Sequence, residues 1–105
     1  MGLFSSITSL FTSGGDDARL LKAMELAKGG KAEQALEIYN SILAKSSDDT
    51  VRSRALFNRA LAHSSMKNDD LATKDLQDVL ANPKTPENVQ TAARSQLARV
   101  KKRSG

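Results

Sequence analysis

The chain has no cysteine and no tryptophan, and its one histidine is His63. Disulfide staples and cysteine-ligated zinc are therefore excluded. His63 has no second histidine or cysteine at ligand spacing, so it reads as a packing residue on a helix. Aromatic residues make up 4% of the sequence, too few for the stacking platforms that hold single-stranded nucleic acid. No apolar run approaches the roughly 20 residues that a membrane-spanning helix needs, and the first residues lack the positive charge that opens a secretory signal. Phosphate-loop, EF-hand and nucleophile motifs are missing as well, because Gly29-Gly30-Lys31 follows no strand and reads as a turn. The acid pairs Asp48-Asp49 and Asp69-Asp70 fall at helix starts, where capping and the helix dipole explain them. With these classes removed, the expectation is a protein that is not an enzyme and carries no metal or cofactor.

Charge is also missing locally, although the whole chain carries +4. Before Asp16 there is no charged side chain, and after Glu87 there is no acid. Residues 16–87 sum to −1, while Arg94, Arg99, Lys101, Lys102 and Arg103 give the last stretch +5. The basic character is thus a patch at one end and not a field spread over the molecule.

What the chain does have is alanine and leucine at helical spacing. The stretch 54–83 reads as two helices on either side of a polar break at residues 67–70, with apolar residues recurring every 3.6 positions. A lone hairpin cannot bury its apolar face, which directs attention to a second copy. A shift of about 37 places supplies one, laying Ala35, Leu36, Tyr39, Ile42 and Leu43 over Ala72, Thr73, Leu76, Val79 and Leu80. The same shift lays Ala18, Leu20, Ala23 and Met24 over Ala55, Phe57, Ala60 and Leu61. Helices are predicted over 17–28, 32–45, 51–66, a span from Asn68 to Ala81, and 86–102. Asp16, Asn68 and Thr85 are the expected N-caps, with Pro86 at the first position of the last helix. The third helix is expected to bury Ala55, Leu56, Phe57, Ala60 and Leu61. The last should bury Val89, Ala92, Ala93, Leu97 and Val100.

Paired helices, tight turns and this period resemble tetratricopeptide repeats, whose pattern is W-x2-L-G-x2-Y, then A-x3-F, then P. In the first copy (16–49) the small residue of the first helix falls on Ala23, the following large one on Leu26, and the A-x3-F pair on Ala35 and Tyr39. In the second (53–85) these become Ala60, His63, Ala72 and Leu76, with Pro83 near the expected proline. Arg19 and Leu56 stand at the tryptophan position and Lys22 and Arg59 at the leucine position, which are departures. The resemblance implies an all-α, right-handed solenoid of two degenerate repeats closed by a C-terminal capping helix, forming a domain over 16–103.

Family members generally bind peptides or helices on the concave face lined by the first helix of each repeat. Carried over by position, that groove would include Leu20, Met24 and Ala27 in the first copy and Arg54, Phe57, Asn58, Leu61 and Ser64 in the second. Ser95, Arg99 and Lys102 would join from the terminal helix. A groove apolar at one end and basic at the other favours a peptide with apolar anchors and acidic groups. The chaperone-tail clamp of some members is not reproduced, since Leu20 and Met24 stand where that clamp has its Lys and Asn. The expected function is a non-enzymatic adaptor or scaffold that binds another protein in the cytoplasm. Set against this reading is that Leu20, Phe57 and Leu61 are core.

Residues 1–13 form a separate segment. Leu3, Phe4, Ile7, Leu10 and Phe11 follow helical spacing, with serine and threonine on the other face, and Ser13-Gly14-Gly15 makes a joint. Three readings stand for this amphipathic helix: it lies in a membrane interface, docks on a partner or larger complex, or folds back onto its own domain. The first makes the chain a peripheral membrane protein, with the basic C-terminal patch attracting anionic lipid. Met1-Gly2 with Ser6 also fits the short N-myristoylation pattern. A third function, RNA binding through the basic last helix, is weakened by the lack of aromatics there.

Overall fold

Five α-helices follow one another in the computed structural model, which describes residues 15–104. They are α1 (Gly15–Lys28), α2 (Ala32–Lys45), α3 (Asp49–Ser65), α4 (Asp69–Ala81) and α5 (Glu87–Ser104). The segment 1–13, with the expected amphipathic helix, lies outside the described residues. Each helix packs on the next in sequence, and α3 also touches α1 and α5, so it has every other described helix as a neighbour. No strand occurs among the described residues, and the arrangement is a succession of helical hairpins.

The two hairpin turns are the same turn. Gly30 (φ 85°) and Lys67 (φ 64°) stand 37 positions apart and both adopt the left-handed conformation. Lys31 N–H donates to Leu26 O at 2.8 Å, and Asn68 N–H donates to His63 O, also at 2.8 Å. Gly30 N–H reaches Ala27 O just as Lys67 N–H reaches Ser64 O. These bonds satisfy carbonyls that the helix end would otherwise leave unpaired. The third reversal, between α2 and α3, is built differently. Asp48 caps α3 by accepting from Val51 N–H at 2.9 Å, and Arg52 Nη1 donates to Leu43 O and Ser46 O across the turn.

The core divides into two clusters that α3 joins. Leu20 and Ala23 of α1 meet Ala35, Tyr39 and Ile42 of α2 and Val51, Ala55 and Ala62 of α3. Beyond them, Ala60 meets Ala72, Leu76 and Val79 of α4 and Val89, Ala93 and Val100 of α5. Alanine recurs at the fully enclosed positions because small side chains let helix axes approach closely. Tyr39, Ile42 and Leu76 then fill the wider gaps.

Several local expectations are corrected. Asp16 is not a cap, because it and Asp17 already lie within α1. Asn68 does stand at the N-cap position of α4, but its side chain makes no capping bond. Thr85 does not cap α5 either; its buried hydroxyl donates to Val79 O at 2.8 Å and ties the α4–α5 connection back to α4. Leu61 is 37% exposed and so does not belong to the core. Leu56, Phe57, Ala92 and Leu97 are partly buried.

Candidate functional site

The cleft between α1 and α3 is a mainly apolar opening. It has a volume of about 250 Å³ and is lined by Asp17, Leu20, Leu21 and Met24 of α1 and by Arg54 and Asn58 of α3. The α1 residues share a face because they recur three, four and seven positions apart. On α3, Arg54 and Asn58 are one turn apart and clasped together, Asn58 Nδ2 donating to Arg54 O at 2.9 Å. Arg54 Nη1 stands 3.9 Å from Asp17 Oδ1, so an ion pair bridges the two walls at one end. Leu20 is buried at the base, while Leu21 and Met24 are partly exposed. The result is an apolar floor with a polar rim.

Of the residues expected in a groove, Leu20, Met24, Arg54 and Asn58 are brought together here. Ala27 and Phe57 pack instead against the first and second core clusters respectively. Leu61 is exposed but is not part of this lining. Ser64 is buried and accepts a hydrogen bond from Arg103 Nη2, which also donates to Asp69 Oδ1 at 2.6 Å. Arg103, and not Lys102, is therefore the terminal-helix cation that reaches α3. Ser95, Arg99 and Lys102 are exposed on α5 and line none of this cleft. Leu3, Phe4, Ile7, Leu10 and Phe11 lie outside the described residues.

No family model, curated protein or solved structure matches this chain.

A second opening, of about 440 Å³, lies where α3 faces the ends of α2 and α4, bordered by Arg52, Leu56, Arg59 and Asn82. Its cations are already engaged. Arg52 holds the two carbonyls of the α2–α3 turn, and Arg59 makes a two-pronged bond to Asp75, Nε to Oδ2 and Nη2 to Oδ1, each 2.8 Å. Arg59 Nη1 donates further to Asn40 Oδ1, so one guanidinium links α2, α3 and α4. The bond to Asp75 holds Arg59 above the usual guanidinium range.

His63 completes this polar layer, with Nε2 3.9 Å from Asp75 Oδ2 and a buried Nδ1 that has no hydrogen-bond partner. Burial pushes its pKa down, opposed by the Asp75 charge and assisted by Arg59. The imidazole is a packed side chain, as expected from sequence, and its burial favours the neutral form. Among the described residues, no cluster of His, Cys, Asp or Glu could hold a metal, and no helix is long and apolar enough to cross a membrane.

Sequence reasoning missed Asp17 and Leu21 in the cleft, and missed the Arg59–Asp75 link. A signal existed for the second. Arg59 occupies a position where the resembled repeat has leucine, and a cation at an inward position calls for a partner.

Proposed function

We propose that the chain is a non-enzymatic protein-binding module, similar to tetratricopeptide repeats, which holds a peptide or helix in the α1–α3 cleft. The observation that carries this reading is the cleft itself: an apolar floor of Leu20, Leu21 and Met24 beside the Arg54 guanidinium. Apolar anchors of a bound segment would remove that floor from water, and an acidic group on it would meet Arg54 at the rim. The repeated hairpins support the family reading, because they place the first helices of successive pairs, α1 and α3, side by side.

Selection from a displayed library of random peptides tests it. Enriched sequences should combine two or more large apolar residues with Asp or Glu. Their affinity should fall about tenfold or more with Met24→Glu and with Arg54→Glu, while Leu71→Glu, on the exposed side of α4, leaves it unchanged. Enriched peptides that bind the Met24→Glu and Arg54→Glu chains as well as the parent would overturn the assignment of the site.

The exposed Arg94, Arg99, Lys101 and Lys102 of α5 favour a second reading, attachment to an anionic membrane surface. Co-sedimentation with phosphatidylserine vesicles at low salt tests it. Binding should disappear when these four residues become glutamine, and absence of binding by the full chain excludes the reading.

A further inference from the structure

We propose that the chain's own apolar segment, residues 3–11, occupies the α1–α3 cleft as a short helix laid antiparallel to α1. This goes beyond the binding of an outside ligand, since the cleft is filled whether or not such a ligand exists. The argument rests on where the segment ends, how long it is, and what the cleft offers.

Only Thr12, Ser13 and Gly14 separate Phe11 from Gly15, the first described residue of α1, and the cleft wall starts two residues on at Asp17. A connection of this length is typical of antiparallel helix pairs, which are commonly joined by about 2–8 residues. At about 1.5 Å per residue, a helix from Leu3 to Phe11 rises roughly 12 Å, and Asp17 to Met24 spans roughly 10 Å, so the two lengths match. Folded back, Phe11 and Leu10 would lie near Asp17 and Leu20, and Leu3 and Phe4 near Met24. The chemistry matches too. Leu3, Phe4, Ile7, Leu10 and Phe11 form an apolar stripe, and no charged side chain occurs before Asp16. An uncharged occupant leaves the Asp17 and Arg54 pair across the cleft undisturbed.

The tether sets the magnitude. A short flexible joint holds a segment at an effective concentration on the order of 1 mM. A segment with an intrinsic affinity of only about 0.1 mM would then fill the cleft roughly tenfold more often than it leaves it empty, and an outside ligand sharing the site would bind about tenfold more weakly.

The sequence has no cysteine, so a nitroxide can be placed at one chosen position of the full chain. Ser5→Cys puts it on the polar face of the segment, at the end far from the joint. The expected result is strong attenuation of the Met24 and Asn58 amide signals, with Lys74 and Asp78 on α4 unaffected. Ile7→Asp in the labelled chain, which alters the segment and not the folded body, should restore both signals. Attenuation that only fades with distance from Gly15 and ignores Ile7→Asp would overturn the proposal. So would attenuation transferred to an isotope-labelled chain lacking the nitroxide, which would make a second copy the occupant. A label that affects neither Met24 nor Asn58 and is immobilised only by phosphatidylserine vesicles would give the segment to lipid. Failure of peptide selection leaves this test intact, because the attenuation reads the segment alone.

Discussion

Arg59, Asp75 and His63 show what a polar layer between two helical hairpins requires. Asp75 is 3% exposed and would be a costly charge without the two-pronged bond from Arg59. Asp75→Ala leaves Nε and Nη2 of the guanidinium without the carboxylate that accepts from them. It should lower stability by about 2 kcal/mol in urea denaturation, less than a fully buried pair because a quarter of the Arg59 side chain meets water. Replacing both partners by leucine should recover most of that loss, and a double replacement as unstable as Asp75→Ala would contradict the account. His63 adds a pH dependence with a definite sign. Its folded pKa is lowered, so the unfolded chain takes up the proton first as acid is added. The contribution of His63 to stability is therefore present above its ordinary unfolded pKa and is lost as pH falls below it. The Tm should drop between about pH 7 and pH 5, and His63→Gln should flatten that part of the profile.

At the scale of the helix and its turn, the chain's punctuation is unequal. Asp48 makes a true capping bond to Val51 N–H, whereas Asn68 precedes α4 without one. Asp48→Ala should cost about 1 kcal/mol, and Asn68→Ala distinctly less, by thermal denaturation. The turn at Lys67 holds a lysine where its counterpart uses Gly30. A left-handed non-glycine residue costs about 1–2 kcal/mol, partly offset by the flexibility that glycine adds to the unfolded chain. Lys67→Gly should accordingly stabilise by about 0.5–1 kcal/mol.

Helix boundaries were largely legible: the expected ends of the second helix coincide with α2, because Gly29-Gly30 and the polar run after Lys45 mark both sides. The caps were less so, since a Thr or Asn before a helix can bond elsewhere, as Thr85 does with Val79. Leu61 shows the other limit. Periodicity places it on an apolar face, but burial depends on which helix stands opposite, and its own helix does not encode that. Four of the six residues lining the candidate cleft were readable in the same way. Leu20, Met24, Arg54 and Asn58 were found from repeat position, while Asp17 and Leu21 needed the actual rotation of α1 against α3.

For the whole molecule, α3 decides cohesion. It supplies residues to both core clusters and touches the four other described helices, whereas α1 and α5 are the first and last of them. Amide exchange should be slowest in the middle of α3, around Ala55 and Ala60, and fastest in the last turns of α5; equal protection of the two would show that the clusters do not depend on α3 in this way. The matched turns carry a further consequence. Since the reversal at Gly30 and the one at Lys67 close with the same set of backbone bonds, the seams on either side of a repeat are interchangeable parts. A gene for this chain could gain or lose one unit of 37 codons, from one seam to the next, and the product would need no new joint to accept it.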